Sequence, residues 1–217
     1  MTDAAISRRS MVRSQVLTNK VTDERVAEAL LAVPREAFVP RELRGVAYVD
    51  EDLPVAPGRF LSEPMVVARL LQAAAVKDSE GVLEIGCATG YVTALLARLA
   101  GGVVGLESDG ELAARARLLL AQQGVSNAVI VEGVLAEGHA KQAPYDVIVL
   151  NGSVEQLPDT LLRQLADGGR LVGVERQGSV GRAVIYRKID GMLGRRELFD
   201  AQVPLLPGFA KPRGFRF

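Results

Sequence analysis

Between Leu83 and Tyr91 the chain reads Glu84-Ile85-Gly86-Cys87-Ala88-Thr89-Gly90, and a second carboxylate, Glu107, stands 21 positions beyond Gly86. Small residues at Gly86, Ala88 and Gly90 let a backbone approach a ligand closely, and a helix starting there offers unpaired N–H groups. A carboxylate with the spacing of Glu107, at the end of the next strand, can accept hydrogen bonds from both hydroxyls of a ribose. Together these predict an adenosine-containing cofactor. The order is E-x-G-x-x-x-G, without the glycines at 88 and 91 of a pyrophosphate-binding G-x-G-x-x-G turn. Glu84, two residues before Gly86, suits the positive end of S-adenosylmethionine better than a pyrophosphate. A nicotinamide dinucleotide is the competing reading.

Other chemistries find little support. One cysteine, Cys87, and one histidine, His139, supply neither a disulfide nor a zinc set. Cys87 reads as a small apolar filler and His139 as a loop residue. Lys plus Arg and Asp plus Glu balance at 26 each, so bulk charge favours neither nucleic acid nor an anionic membrane. An aromatic fraction of 5% and no Trp weigh against base-stacking platforms. The N-terminus has no signal-like apolar core, and no run reaches the roughly 18 apolar residues of a membrane span. A cytoplasmic protein is expected, and the oligomeric state is left open.

The elements that must position Glu84 and Glu107 follow from periodicity. Residues 7–33 read as two helical pieces, with Thr22 or Asp23 capping the second and Pro34 stopping it. Residues 34–60 read as short helical turns and loop, and the Pro-rich run 54–64 could hinge. Residues 62–76 form an amphipathic helix with Ser62 as N-cap and Pro64 in its first turn. Apolar strands over 81–86, 102–108, 128–133, 145–152 and 170–176 then alternate with helices over 91–100, 110–124 and 158–169. That alternation means a parallel sheet covered on both faces. The tail reads as antiparallel strands around Asp190-Gly191. The expected fold is one doubly wound α/β domain over 1–217, with a helical cap region over 1–78 and a cofactor-binding core over 79–217.

From about Met11 onward the chain resembles the protein-L-isoaspartate O-methyltransferase family. The resemblance rests on "MVRSQVL", "VTDERVAEALLAVPREAFVP", "AYVDEDLPV", "LSEP", "VLEIGCATGY", "APYDVIVLNG", "LLRQLADGGRLVGVE" and "VPLLPGF". It implies a mostly parallel seven-stranded methyltransferase sheet, S-adenosylmethionine as cofactor and methylation of isoaspartyl carboxyl groups in damaged proteins, a repair reaction. Such a carboxylate is ionised at neutral pH, so no general base or metal is required. Carried over by position, Gly86 and Gly90 form the cofactor loop, Glu107 holds the ribose, and Ser62 is the active-site serine. Gly133, Val134 and Leu135 fall beside the adenine, and Asn151 joins the same cofactor-side set.

Four departures from the family pattern fall around these positions. Phe60 replaces a threonine two residues before Ser62, and Glu63 follows the serine. Pointing inward, Glu63 would repel a carboxylate substrate; pointing outward, the preferred reading, it would favour the helix N-terminus. Val134 replaces the aspartate that contacts adenine. Asn151 and Ser153 replace alanines near the substrate entrance. Two alternatives follow: a methyltransferase with another acceptor, and a non-catalytic relative that binds the cofactor.

Overall fold

The computed structural model describes residues 3–211, so the ends of the expected domain, 1–2 and 212–217, lie outside the described residues. Helix α1 (Asp3–Met11) runs into a wide turn over Val12–Val16 and a tight one over Leu17–Asn19. Helix α2 (Glu24–Ala32) starts at Asp23, whose carboxylate accepts the Arg25 N–H at 2.9 Å. Its face of Val26, Ala29 and Leu30 is buried, and Arg25 donates to the carbonyls of Val76 and Leu99 at 2.8 Å each. This fastens the helical cap to the core.

After turns at Arg35–Ala37 and Arg41–Val46 the chain departs from the expected loop. Strands β1 (Leu53–Ala56) and β2 (Arg59–Leu61) form an antiparallel hairpin around Pro57-Gly58. Pro54 and Pro57 hide the pattern, because proline in a short run argues against a strand unless it lies at an edge. The hairpin pairs with nothing else and forms its own two-stranded sheet.

Helix α3 (Pro64–Ala74) corrects the expectation for Ser62. Its N-cap is Glu63, with no bond from that side chain into the helix. Two aspartates of the preceding loop replace it: Asp52 accepts the Glu63 N–H at 2.9 Å and Asp50 the Met65 N–H at 3.3 Å. A cap supplied from 11 and 15 residues away leaves the Ser62 hydroxyl out of the helix terminus.

The core alternates as expected through β3 (Gly81–Ile85), α4 (Tyr91–Ala97), β4 (Gly102–Glu107), α5 (Gly110–Gln122), β5 (Ala128–Glu132), β6 (Tyr145–Val154), α6 (Asp159–Arg163), β7 (Leu165–Gln177), β8 (Val180–Ile189) and β9 (Met192–Asp200). Seven strands lie in the order β5-β4-β3-β6-β7-β8-β9. The first five are parallel and the last two antiparallel, joined through Asp190 and Gly191 at φ 51° and 74°. Alternate strand residues serve opposite faces. Val82, Val147 and Val172 pack under the helical cap, whereas Leu83, Ile148 and Leu171 join a second cluster with Leu206 and Phe209 from the C-terminal segment.

The helix expected over 158–169 stops at Arg163. Leu165 already pairs with Tyr145, and the register slips before Arg170 meets Val147, so Gly168 and Gly169 lie in an irregular strand entry rather than a helix cap. Strand order reverses between β3, which leads outward to β4, and β6. A crevice beyond the carboxyl ends of these strands is where such sheets bind ligands.

Candidate active site

The turn after β3 is built by backbone bonds. The N–H groups of Gly86 and Cys87 donate to the Leu106 carbonyl at 2.8 and 3.1 Å, and the Gly90 N–H to the Cys87 carbonyl at 2.8 Å. Gly90 needs glycine twice over: φ is 89°, and a Cβ would lie 3.3 Å from the Cβ of Ala116. Ala88 holds φ 49° despite its side chain. What keeps it there is its N–H, which reaches Glu107 Oε2 at 2.7 Å.

Glu107 is fully buried at the end of β4, and every acceptor position on it is used. Oε1 accepts the N–H groups of Ser108 and Asp109 at 2.8 and 3.2 Å. The guanidinium of Arg59 then spans both oxygens, Nη1 to Oε1 at 3.1 Å and Nη2 to Oε2 at 2.8 Å. This is a forked, charge-assisted pair with both partners out of water. Arg59 takes the acceptor positions that the sequence predicts for ribose hydroxyls.

The surface of Gly86 is covered as well. A Cβ built there would lie 2.7 Å from Leu206 Cδ2, 3.2 Å from Arg59 Nη2 and 3.7 Å from Leu135 Cδ1. Leu206 is held by its own N–H donating to the Ser153 carbonyl at 2.9 Å. The remaining hollow, lined by Arg59, Phe60, Ser62, Asn151 and Leu206 among others, measures about 10 Å³. A nucleoside-bearing ligand requires on the order of 300 Å³ or more. The donor set has the chemistry for an adenosyl group, but the groove as folded has no room for one.

Glu84, two residues before Gly86 on β3, is fully buried. Thr93 Oγ1 donates to one oxygen at 2.5 Å and Asn151 Nδ2 to the other at 2.9 Å. Burial pushes its carboxyl up to about 7 in spite of both donors. Glu84 and Asn151 are thus brought together and bonded to each other. Gly133 donates its N–H to the Glu107 carbonyl at 3.0 Å, which sets the start of the following turn. There Leu135 is buried towards Gly86 while the Val134 side chain is 57% exposed.

Ser62 is 5% exposed and lines the small hollow. Its carbonyl accepts Arg35 Nη2 at 2.8 Å, and Arg35 Nε donates to the Ala47 carbonyl at 2.7 Å. The Arg35 guanidinium is fully buried and lies 5.2 Å over the Tyr91 ring. Glu63 is not a fully exposed acid at the helix start. It is half-buried, and burial with the nearby Asp50 and Asp52 pushes its carboxyl up to about 7 against the pull of Arg35. A wider cleft of about 310 Å³, lined by Asp52, Ser153, Arg176 and Gln202 among others, opens beside it.

Cys87 is buried, and burial raises its thiol well above the ordinary value. His139 lies in the loop before β6, its N–H donating to Gln164 Oε1 at 2.8 Å. Two residues at the centre of the groove, Arg59 and Leu206, have no counterpart among the sequence candidates. An arginine within the otherwise uncharged run "LPVAPGRFLS" was the available signal for the first. The second had none, because its contacts depend on how the C-terminal segment crosses the sheet.

The model of the protein-L-isoaspartate(D-aspartate) O-methyltransferase family matches residues 7–201. A protein-L-isoaspartate O-methyltransferase of Koribacter versatilis is 40% identical over 207 residues, covering 95% of this chain and 93% of that relative. Another, protein-L-isoaspartate O-methyltransferase 2 of an Anaeromyxobacter, is 41% identical over 201 residues, covering 92% of this chain and 82% of the relative. A Plasmodium falciparum protein solved in complex with S-adenosyl-L-homocysteine shares the fold, with TM-score 0.80 at 19% identity over 95% of this chain and 99% of that one. The chain therefore belongs to the protein-L-isoaspartate O-methyltransferase family.

Proposed function

We propose that the chain is an S-adenosylmethionine-dependent O-methyltransferase that methylates the carboxyl group of isoaspartyl residues in damaged proteins. The observation that carries this is the meeting of Arg59, Ser62, Asn151 and Leu206 in one hollow at the carboxyl ends of the strands. It brings the serine that the family resemblance marks for the acceptor beside the groove that ends in Glu107. S-adenosylmethionine supplies a methyl group on a sulfonium. Arg59 and Leu206 fill the groove that such a group would enter.

The chain's own residues fit an acceptor that is already an anion. No group near Ser62 needs to remove a proton from an ionised carboxylate. Glu63, its carboxyl pushed up to about 7, is largely neutral below that pH, where the acceptor is already ionised. Burial of Ser62 keeps bulk water from the hollow. A buried free thiol at Cys87 accords with a reducing, cytoplasmic setting. Among the described residues no helix is long and apolar enough to cross a membrane.

The test is transfer of labelled methyl from S-adenosylmethionine to a peptide with one isoaspartate, beside the same peptide with aspartate. Base-labile label on the isoaspartyl peptide alone is the expected result. Phe60, which lines the hollow, favours a second reading in which the acceptor is a different carboxylate. No label on the isoaspartyl peptide, from protein with measured cofactor affinity, would move the assignment there.

A further inference from the structure

Glu107 and Gly86 are the two places where an adenosyl group would touch this sheet, and the protein occupies both with its own side chains. The occupants come from different segments. Arg59 rides on the β1–β2 hairpin, and Leu206 on the C-terminal segment that bridges to Ser153. Arg59 lies outside the seven-stranded sheet and can shift without breaking its ladder, whereas Leu206 is tied to β6 through Ser153.

We propose that Arg59 and Leu206 form an internal plug that competes with the nucleoside for Glu107 and for the face of Gly86, so that the cofactor binds only when the hairpin carries Arg59 out. The inference rests on the proposed cofactor, and it adds a residue that sets cofactor affinity. Its basis is stoichiometric. Glu107 has two oxygens, and backbone N–H groups already reach both, Ala88 on Oε2 and Ser108 and Asp109 on Oε1. The Arg59 fork fills the acceptor positions that remain. Two ribose hydroxyls and one guanidinium cannot share it.

The hairpin is suited to such a motion. Its strands have four and three residues, and its turn is Pro57-Gly58 with Gly58 at φ 67°. Ser62 follows Arg59 by three positions, so displacement of the guanidinium shifts the segment that carries the acceptor-side serine. Cofactor entry and acceptor binding are thereby coupled through one short stretch of backbone.

A plug lowers affinity by the fraction of molecules that are open: if about one in a hundred is open, apparent affinity falls about a hundredfold. S-adenosylhomocysteine is titrated calorimetrically into the full chain, into Arg59→Gln and into Arg59→Lys, with melting curves to confirm folding. Lysine keeps the positive charge but cannot fork across both oxygens, so it preserves the fold should glutamine not. The expected result is affinity at least tenfold tighter for Arg59→Gln than for the wild type, with Arg59→Lys between. In the wild type, the Arg59 guanidinium resonance should lose its buried-pair shift at ligand saturation.

Equal affinity in all three proteins, whether tight or undetectable, would overturn the plug, as would an unmoved Arg59 resonance in saturated protein. The outcome is separable from the proposed function. Tighter binding in the variants with no methylation of an isoaspartyl peptide leaves the plug standing and removes the acceptor. Isoaspartyl methylation with equal affinities does the reverse.

Discussion

Two buried or half-buried glutamates flank the hollow at the strand ends, and they are treated in opposite ways. Glu107 has backbone donors on both oxygens, a forked arginine across them and no contact with water. Glu63 has two aspartates for neighbours, and among the described residues no donor reaches its carboxyl. The first is a carboxylate whose two oxygens are both fully partnered. The second is a charge that the surroundings suppress. A site that accepts a carboxylate substrate gains from both arrangements, since Glu63, with its carboxyl pushed up to about 7, is largely neutral below that pH.

The contrast breaks most severely at the paired end. Glu107→Ala leaves the Arg59 guanidinium buried without a counter-charge and should cost about 3–5 kcal/mol in urea denaturation. A loss below about 1 kcal/mol would mean that the guanidinium reaches water, and the pair would not be the buried one described. Combining it with Arg59→Gln should return much of the loss, because the orphaned charge goes too.

At the suppressed end the signature is in pH. A carboxyl raised from 4.5 to about 7 binds a proton in the folded state that the unfolded chain has released. Its contribution is complete below pH 4.5 and is lost as pH climbs towards 7. Glu63→Gln should therefore flatten stability across that window, leaving a residual slope from Glu84, which is raised in the same sense. Above pH 7 the ionised Glu63 repels the acceptor, so KM should rise with pH in the wild type and not in Glu63→Gln. Identical profiles would place the Glu63 charge elsewhere.

Smaller effects sharpen the picture of the turn. Ala88→Gly relieves a left-handed alanine, partly offset by greater freedom of the unfolded chain, and should stabilise by about 0.5 kcal/mol in thermal melts. Destabilisation would show that the alanine methyl packs usefully. Ser62→Ala should change stability by less than about 0.5 kcal/mol, since a true cap would cost about 1, while lowering methyl transfer.

The sheet was legible because Val, Ile and Leu runs of strand length alternate with amphipathic helices, a pattern set by burial on both faces. The turn and Glu107 were legible because their spacing is fixed by one strand, one helix and the next strand. Everything that reached across the chain was not. The Asp50 and Asp52 cap displaced Ser62 from a local role that its position alone suggested. The β1–β2 hairpin lay hidden by its prolines, and with it the reach of Arg59 to a glutamate 48 residues away. Glu63 looked like a surface acid at a helix start, and only the surrounding aspartates reveal otherwise.

Arg35 has a consequence for how the molecule comes apart. Its guanidinium joins the carbonyls of Ala47 and Ser62 and lies over the ring of Tyr91, on α4, so loop, hairpin end and core helix share one buried cation. None of the three can open alone without exposing that charge's partners. The amides of these segments should exchange with solvent together, as one cooperative unit whose protection is set by the weakest of them. Opening of the proposed plug therefore draws on the same buried cation that ties the Ser62 carbonyl to α4.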